Sequence, residues 1–207
     1  NTLADPLHSI PHLVTYGGTD TAPDITIYYG DNHGFIHAIN GATGVEQFAF
    51  IPEELLPNLK TVYDNFENSD HPYGMDGGIT SWVNDVDKDG QIETADSDHV
   101  YLYAGMRRGG RNYYALDVTD RAAPKILWTI TGGTGGFAEL GQTWSRPAVT
   151  KVKINNSVKN VLIFSGGYDE SQDDYTIRTP DNMGRAIYIV DAATGAKLWS
   201  GGYNNSF

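Results

Sequence analysis

Ile189-Val190-Asp191-Ala192-Ala193-Thr194-Gly195-Ala196-Lys197-Leu198-Trp199 is the stretch on which the fold turns. A β-branched run ends on an aspartate, passes through a tight Ala-Thr-Gly turn and reopens into an aromatic-bearing segment, which is the pattern of two short strands joined by a hairpin. The pattern recurs upstream. Phe35-Ile36-His37-Ala38-Ile39-Asn40 leads into Gly41-Ala42-Thr43-Gly44 and then to Phe48, and Asn112-Tyr113-Tyr114-Ala115-Leu116-Asp117 leads on to Trp128. A second register supports the first. His8-Ser9-Ile10-Pro11, Asp76-Gly77-Gly78-Ile79 and Trp144-Ser145-Arg146-Pro147 each begin 68 residues after the last.

Self-similarity at a fixed period marks a repeat architecture. In the first repeat the strands fall at about His12 to Tyr16, Ile25 to Tyr29, Phe35 to Asn40 and Val45 to Ile51, with turns at Gly17-Gly18, Gly30 to Gly34 and Gly41 to Gly44. A recurring four-stranded antiparallel unit is a β-propeller blade. The chain is therefore read as all-β, residues 1–207 forming part of one propeller domain, with blades at about 8–51, 75–130 and 144–200 and an insertion at 52–73. Further inserted loops fall within blade two and at Gly166 to Gly184 of blade three. Three blades do not close a ring, which ordinarily takes four to eight, so the sequence predicts a partial propeller whose remaining blades lie elsewhere.

Asp85-Val86-Asp87-Lys88-Asp89-Gly90-Gln91-Ile92-Glu93 interrupts the second repeat. Alternate positions carry oxygen donors, and four carboxylates in nine residues repel one another unless a cation sits between them. Asp85, Asp87, Asp89, the Gln91 carbonyl and Glu93 are the predicted ligands, with Gly90 at the sharp turn of a D-x-D-x-D-G loop. All donors are hard oxygens, which points to Ca2+ rather than zinc or copper. Glu93 closes a nine-residue loop and Asp96 a twelve-residue one; Glu93 is preferred. The flanks, Ile79 to Val83 and His99 to Ala104, read as strands, so this is not an EF-hand between helices.

Composition narrows the function classes. Glycine at 24 residues and tyrosine at 13 suit a turn-rich β protein. The formal charge of −12 leaves no basic surface for nucleic acid. The absence of cysteine removes disulfides and thiol chemistry from this segment, and no stretch reaches the length of a membrane-spanning helix.

Tyr103 to Thr119, the opening Asp5-Pro6-Leu7-His8-Ser9 and Gly141-Gln142-Thr143-Trp144-Ser145-Arg146-Pro147 resemble the C-terminal propeller of PilC/PilY-type pilus tip adhesins. The resemblance covers most of the chain. It implies a non-enzymatic, calcium-binding propeller at the tip of a bacterial type IV pilus, exported through the periplasm to the cell surface. The implied roles are surface attachment, pilus biogenesis and regulation of extension and retraction. The implied partners are pilus-tip minor pilins, the remaining blades, and a host or abiotic surface. By position the resemblance also points to Asp85, Asp87, Asp89, Gln91 and Glu93, with Glu where Asp is more usual. The family's Arg-Gly-Asp tripeptide is absent; Arg108-Gly109-Gly110 is the nearest string.

Two alternatives share the blade type. The Asp-x-x-Thr-Gly…Trp hairpin is similar to the docking motif of quinoprotein dehydrogenases, whose calcium ligands are dispersed around the ring; a contiguous loop argues against that reading. An outer-membrane assembly scaffold is the other, and it has no need of a metal loop. Among single residues, Trp82, Trp128, Trp144 and Trp199 are expected to pack blades, and His8, His33, His37, His71 and His99 to serve surface or packing roles. Arg107, Arg108 and Arg111 form a basic hairpin tip that pairs with the acidic loop of a neighbour, binds an anionic partner or meets solvent. Asp169, Glu170, Asp173 and Asp174 form an acidic cluster without the order of a metal loop.

Overall fold

The computed structural model describes residues 4–64, 71–174, 176–177 and 179–203. Among the described residues twelve strands form three four-stranded antiparallel sheets, each running in chain order from one edge to the other. The first holds β1 (His12–Thr19), β2 (Ala22–Gly30), β3 (Ile36–Asn40) and β4 (Glu46–Phe50). In the second are β5 (Ile79–Asn84), β6 (His99–Gly105), β7 (Tyr113–Asp117) and β8 (Lys125–Ile130). The third comprises β9 (Ala148–Ile154), β10 (Ser157–Ser165), β11 (Ala186–Asp191) and β12 (Lys197–Gly202). β5 touches both β1 and β9, so the leading strand of each sheet lies innermost.

Why the sheets stack is legible in β6 and β7, where successive side chains point to opposite faces. Val100, Leu102, Ala104, Tyr114 and Leu116 join the apolar core shared with the first sheet, together with Val14, Tyr28 and Ile36. Tyr103, Tyr113 and Ala115 join the core shared with the third sheet, against Phe164, Tyr188 and Val190. The middle sheet is thus buried on both faces. Each fully buried side chain of this size contributes about 1.5–3 kcal/mol.

The hairpin that decided the fold also docks the sheets. Asp191 Oδ1 accepts the amides of Ala193 and Thr194, each at 3.1 Å, and the Thr194 hydroxyl at 3.0 Å. Asn40 holds Ala42 and Thr43 in the same way, and Asp117 holds Thr119. Tyr103 Oη and Trp128 Nε1 both donate to the Ala192 carbonyl, at 3.0 and 3.1 Å. At the other seam Tyr16 Oη donates to Val118 O at 2.9 Å, and burial pushes the Tyr28 hydroxyl beside it up to about 12.

One local reading changes. No turn falls at Gly17-Gly18: β1 passes a β-bulge between Thr15 and Gly17, pairs both glycines with β2, continues to Thr19 and turns at Asp20-Thr21. Both glycines have positive φ, which the bulged strand uses. The insertion after the first sheet carries a 3-10 turn at Glu53–Leu55 and α1 at Asn58–Asp64; residues 65–70 of it lie outside the described residues.

Candidate metal centre

The Asp85–Asp98 connection joins β5 to β6, the two innermost strands of the middle sheet. Asp85, Asp87 and Asp89 each offer a carboxylate oxygen, and these atoms lie within 4.8 Å of one another. Among the described residues this is the only group of three or more such donors. Three acids meet because the loop winds on its own amides. Asp85 Oδ1 accepts Lys88 N–H at 2.6 Å and its Oδ2 accepts Gly90 N–H at 2.9 Å. Asp87 accepts Asp89 N–H at 3.2 Å, and Asp89 accepts Gln91 N–H at 2.7 Å. Gly90, at φ +82°, makes the sharp turn, and a Cβ there would meet nothing, so backbone conformation alone calls for glycine.

The charges press on one another. The Asp89 amide lowers the proton affinity of Asp87, but desolvation, the Asp89 charge and hydrogen bonding with Asp85 outweigh it and raise the Asp87 carboxyl above its usual range. Glu93 is raised too, first by a hydrogen bond with Asp96 and then by the Asp96 charge. Like-charged carboxylates in one place favour a bound proton or a bound cation.

The five predicted ligands are not all brought together. Asp85, Asp87 and Asp89 converge. Gln91, predicted to donate its carbonyl, sends its side chain to β1, where Oε1 accepts Gly18 N–H at 3.2 Å. Glu93 pairs with Asp96, the residue weighed against it for closing the loop, and opens the 3-10 turn Thr94–Asp96. The donors fit a hard divalent cation by chemistry: all are oxygens, and three are carboxylates.

Sequence reasoning missed Asp98. It is buried, with Oδ1 accepting Val86 N–H at 2.8 Å and Oδ2 accepting Glu93 N–H at 3.0 Å, so one carboxylate clamps both ends of the loop. The two amides, Val86 first, hold it below the usual carboxylate range. Its signal in the sequence was an acid immediately before β6, where no ligand position called for one. The loop also straps the sheet seam. Ile92 N–H donates to Tyr16 O of β1 at 2.9 Å, and the Ile92 side chain packs on the core between the first two sheets.

Other singled-out residues have partners. His37 sits between Asp31 and Glu46, each 2.8 Å from a ring nitrogen. His8 Nδ1 lies 2.8 Å from buried Asp76. Asp169 is buried and accepts the amides of Ser171, Asn182 and Met183, which makes it the anchor of its own loop. Trp128 packs a seam as expected, whereas Trp144 and Trp199 are each 39 % exposed.

Residues 1–199 match the family model described as the PilY1 beta-propeller domain. A type IV pilus biogenesis factor PilY1 of Pseudomonas aeruginosa is 31% identical over 95% of this chain, and a PilY1 homolog of Xylella fastidiosa is 33% identical over 68%. The chain spans only 15% and 10% of those relatives. The crystal structure of the Pseudomonas aeruginosa PilY1 C-terminal domain superposes with a TM-score of 0.53 at 27% identity, over 84% of this chain and 30% of that one. Both of these relatives are named as type IV pilus biogenesis factors.

Proposed function

This chain belongs to the PilY1 beta-propeller domain family, and from that premise we propose that it forms three blades of a pilus-associated propeller that binds one Ca2+ in the Asp85–Glu93 loop and acts in surface attachment and control of pilus extension and retraction. Asp85, Asp87 and Asp89 supply carboxylates. Gln91 supplies its main-chain carbonyl, and Glu93 completes the set by exchanging Asp96 for the ion. The place of action is the pilus tip at the cell surface, with minor pilins and the protein's further blades as partners. The observation that carries the reading is the convergence of three carboxylates in one loop whose backbone already holds the turn. Its contiguity favours this over a dehydrogenase, where ligands gathered from around a ring would be required.

Calcium acts here through stability. Because the loop straps β1 through Gln91 and Ile92, ordering it also fixes the first two blades against each other. An ion that binds the folded loop and not the unfolded chain adds about 2.7 kcal/mol at 100 times its dissociation constant. Thermal unfolding with calcium and with a chelator measures this. Identical midpoints under the two conditions would remove the metal from the reading.

A further inference from the structure

The face opposite the metal loop carries the basic hairpin tip between β6 and β7. Its three arginines do not simply meet solvent. Arg108 Nη1 donates to Asp173 at 3.0 Å, Arg111 pairs with Glu170, and Arg107 Nη1 donates to buried Asp76 at 3.2 Å. Two aromatic rings complete the surface. The Arg107 guanidinium lies 4.2 Å from the centre of the Trp144 ring, and that of Arg108 lies 5.5 Å from Trp144 and 5.9 Å from Tyr73. Exposed tryptophan framed by arginines is the composition of a binding hot spot.

The cleft already has an occupant of defined chemistry. Tyr168 and the acidic 3-10 segment Glu170–Asp174 of the third blade lie across it. Tyr168 packs on Trp144 with ring centres 5.3 Å apart and donates its hydroxyl to Asp173 at 2.6 Å, which presents that acid to Arg108. Gln142 Nε2 steadies Glu170 at 3.2 Å. The root of the segment is fixed by the Gln142–Tyr168 bridge and by Asp169. Its acids, by contrast, are half exposed where they meet Arg108 and Arg111, and such ion pairs exchange at little cost.

We propose that this arginine–tryptophan cleft is a docking site for an acidic, aromatic-bearing peptide segment of a partner protein, and that Tyr168–Asp174 is an intramolecular stand-in which the partner displaces. Charge complementarity favours such a partner, because the rest of the chain is strongly acidic and this tip concentrates its arginines. The inference goes beyond the calcium reading and is independent of it.

The test uses the full-length protein and a fluorescein-labelled peptide with the sequence of residues 167–174. A tethered competitor lowers apparent affinity in proportion to its occupancy. The Glu170→Ala/Asp173→Ala variant should therefore bind the peptide about tenfold or more tightly than wild type. Adding Arg108→Gln or Trp144→Ala should cancel that gain, and a peptide with lysine at the acidic positions should not bind. Tyr168→Phe, which removes only the hydroxyl holding Asp173, should shift binding in the same direction by less, and serves if the double variant does not fold. Equal affinity of the wild type and a folded opened variant overturns the proposal. So does binding of a sulfated polysaccharide at the opened cleft that is indifferent to Trp144, since that would be a polyanion site.

Discussion

Asp98 and His37 are side chains whose two polar ends each bond a separate group, and each sets a measurable property. Asp98 orients the proposed calcium loop through the amides of Val86 and Glu93 without being one of its proposed ligands. Groups that orient metal ligands are typically worth 10–100-fold in affinity. Asp98→Ala should thus weaken calcium binding in calorimetry by about that factor, whereas Asp87→Ala should abolish it. Wild-type affinity in Asp98→Ala would show that the loop holds its shape unaided. For His37, the bond to Asp31 raises its proton affinity above the ordinary 6.5, burial opposes this, and the bond to Glu46 adds to it. A raised folded-state pKa means that the stabilisation is whole below about pH 6.5 and is lost as pH rises through the folded value. Urea unfolding of wild type and His37→Gln should differ more at pH 6 than at pH 9, and a difference independent of pH would show that the ring is neutral in the fold.

At the scale of an element, the outer hairpin turns of the second and third sheets carry the docking. Trp128 reaches from β8 to the turn after β11, and the turn is shaped to receive it. Gly195 has φ +70°, and a Cβ there would stand 2.8 Å from the Trp128 ring. Trp128→Phe keeps an aromatic ring and loses the bond to Ala192 O, for a cost of about 0.5–1.5 kcal/mol plus the smaller ring's packing. Trp128→Ala opens the seam and should cost about 3–5 kcal/mol. Denaturant midpoints order these variants, and a Phe variant as unstable as the Ala variant would put the stabilisation in the hydrogen bond instead of the ring. The equivalent residue in the first sheet is Phe48, which has no N–H to give. There the carbonyl of Val118 is reached by the hydroxyl of Tyr16 from the innermost strand, whereas at the other seam the Ala192 carbonyl is reached both by Trp128 of the outermost strand and by Tyr103 of β6.

The whole molecule is an arc of blades with two kinds of apolar surface. Inner faces are closed by neighbours, while the far face of the third sheet presents Trp199 and Ile187, which are 39 % and 47 % exposed, beside Val152 and Ile189. Trp199 occupies the place in β12 that Trp128 occupies in β8, each one register step from the bulge of its hairpin. A further blade laid on this face as the third is laid on the second would cover it. In a longer protein carrying the following blade, the fluorescence that Trp199→Phe removes should lie at shorter wavelength than in this chain alone. An unchanged emission would show that Trp199 is not a docking residue.

Period-2 alternation, the repeated Asp/Asn-x-x-Thr-Gly hairpins and the D-x-D-x-D-G spacing are properties of neighbouring residues, so the sequence by itself determined the blade type, the strand order and the convergence of Asp85, Asp87 and Asp89. These follow from backbone geometry within a dozen residues. The partners of Arg108 and Arg111, 65 and 59 residues away, belong to another class. So do the seat of Gln91 on Gly18, 73 residues back, and the cis-bound segment over Trp144. Which acid meets which arginine depends on how sheets stack about the axis. Any of the chain's 26 acids would have satisfied the local pattern. Only the tertiary structure decided that Asp98, an acid outside the spaced series, clamps the loop, because its role depends on two amides that the loop brings together after winding on itself.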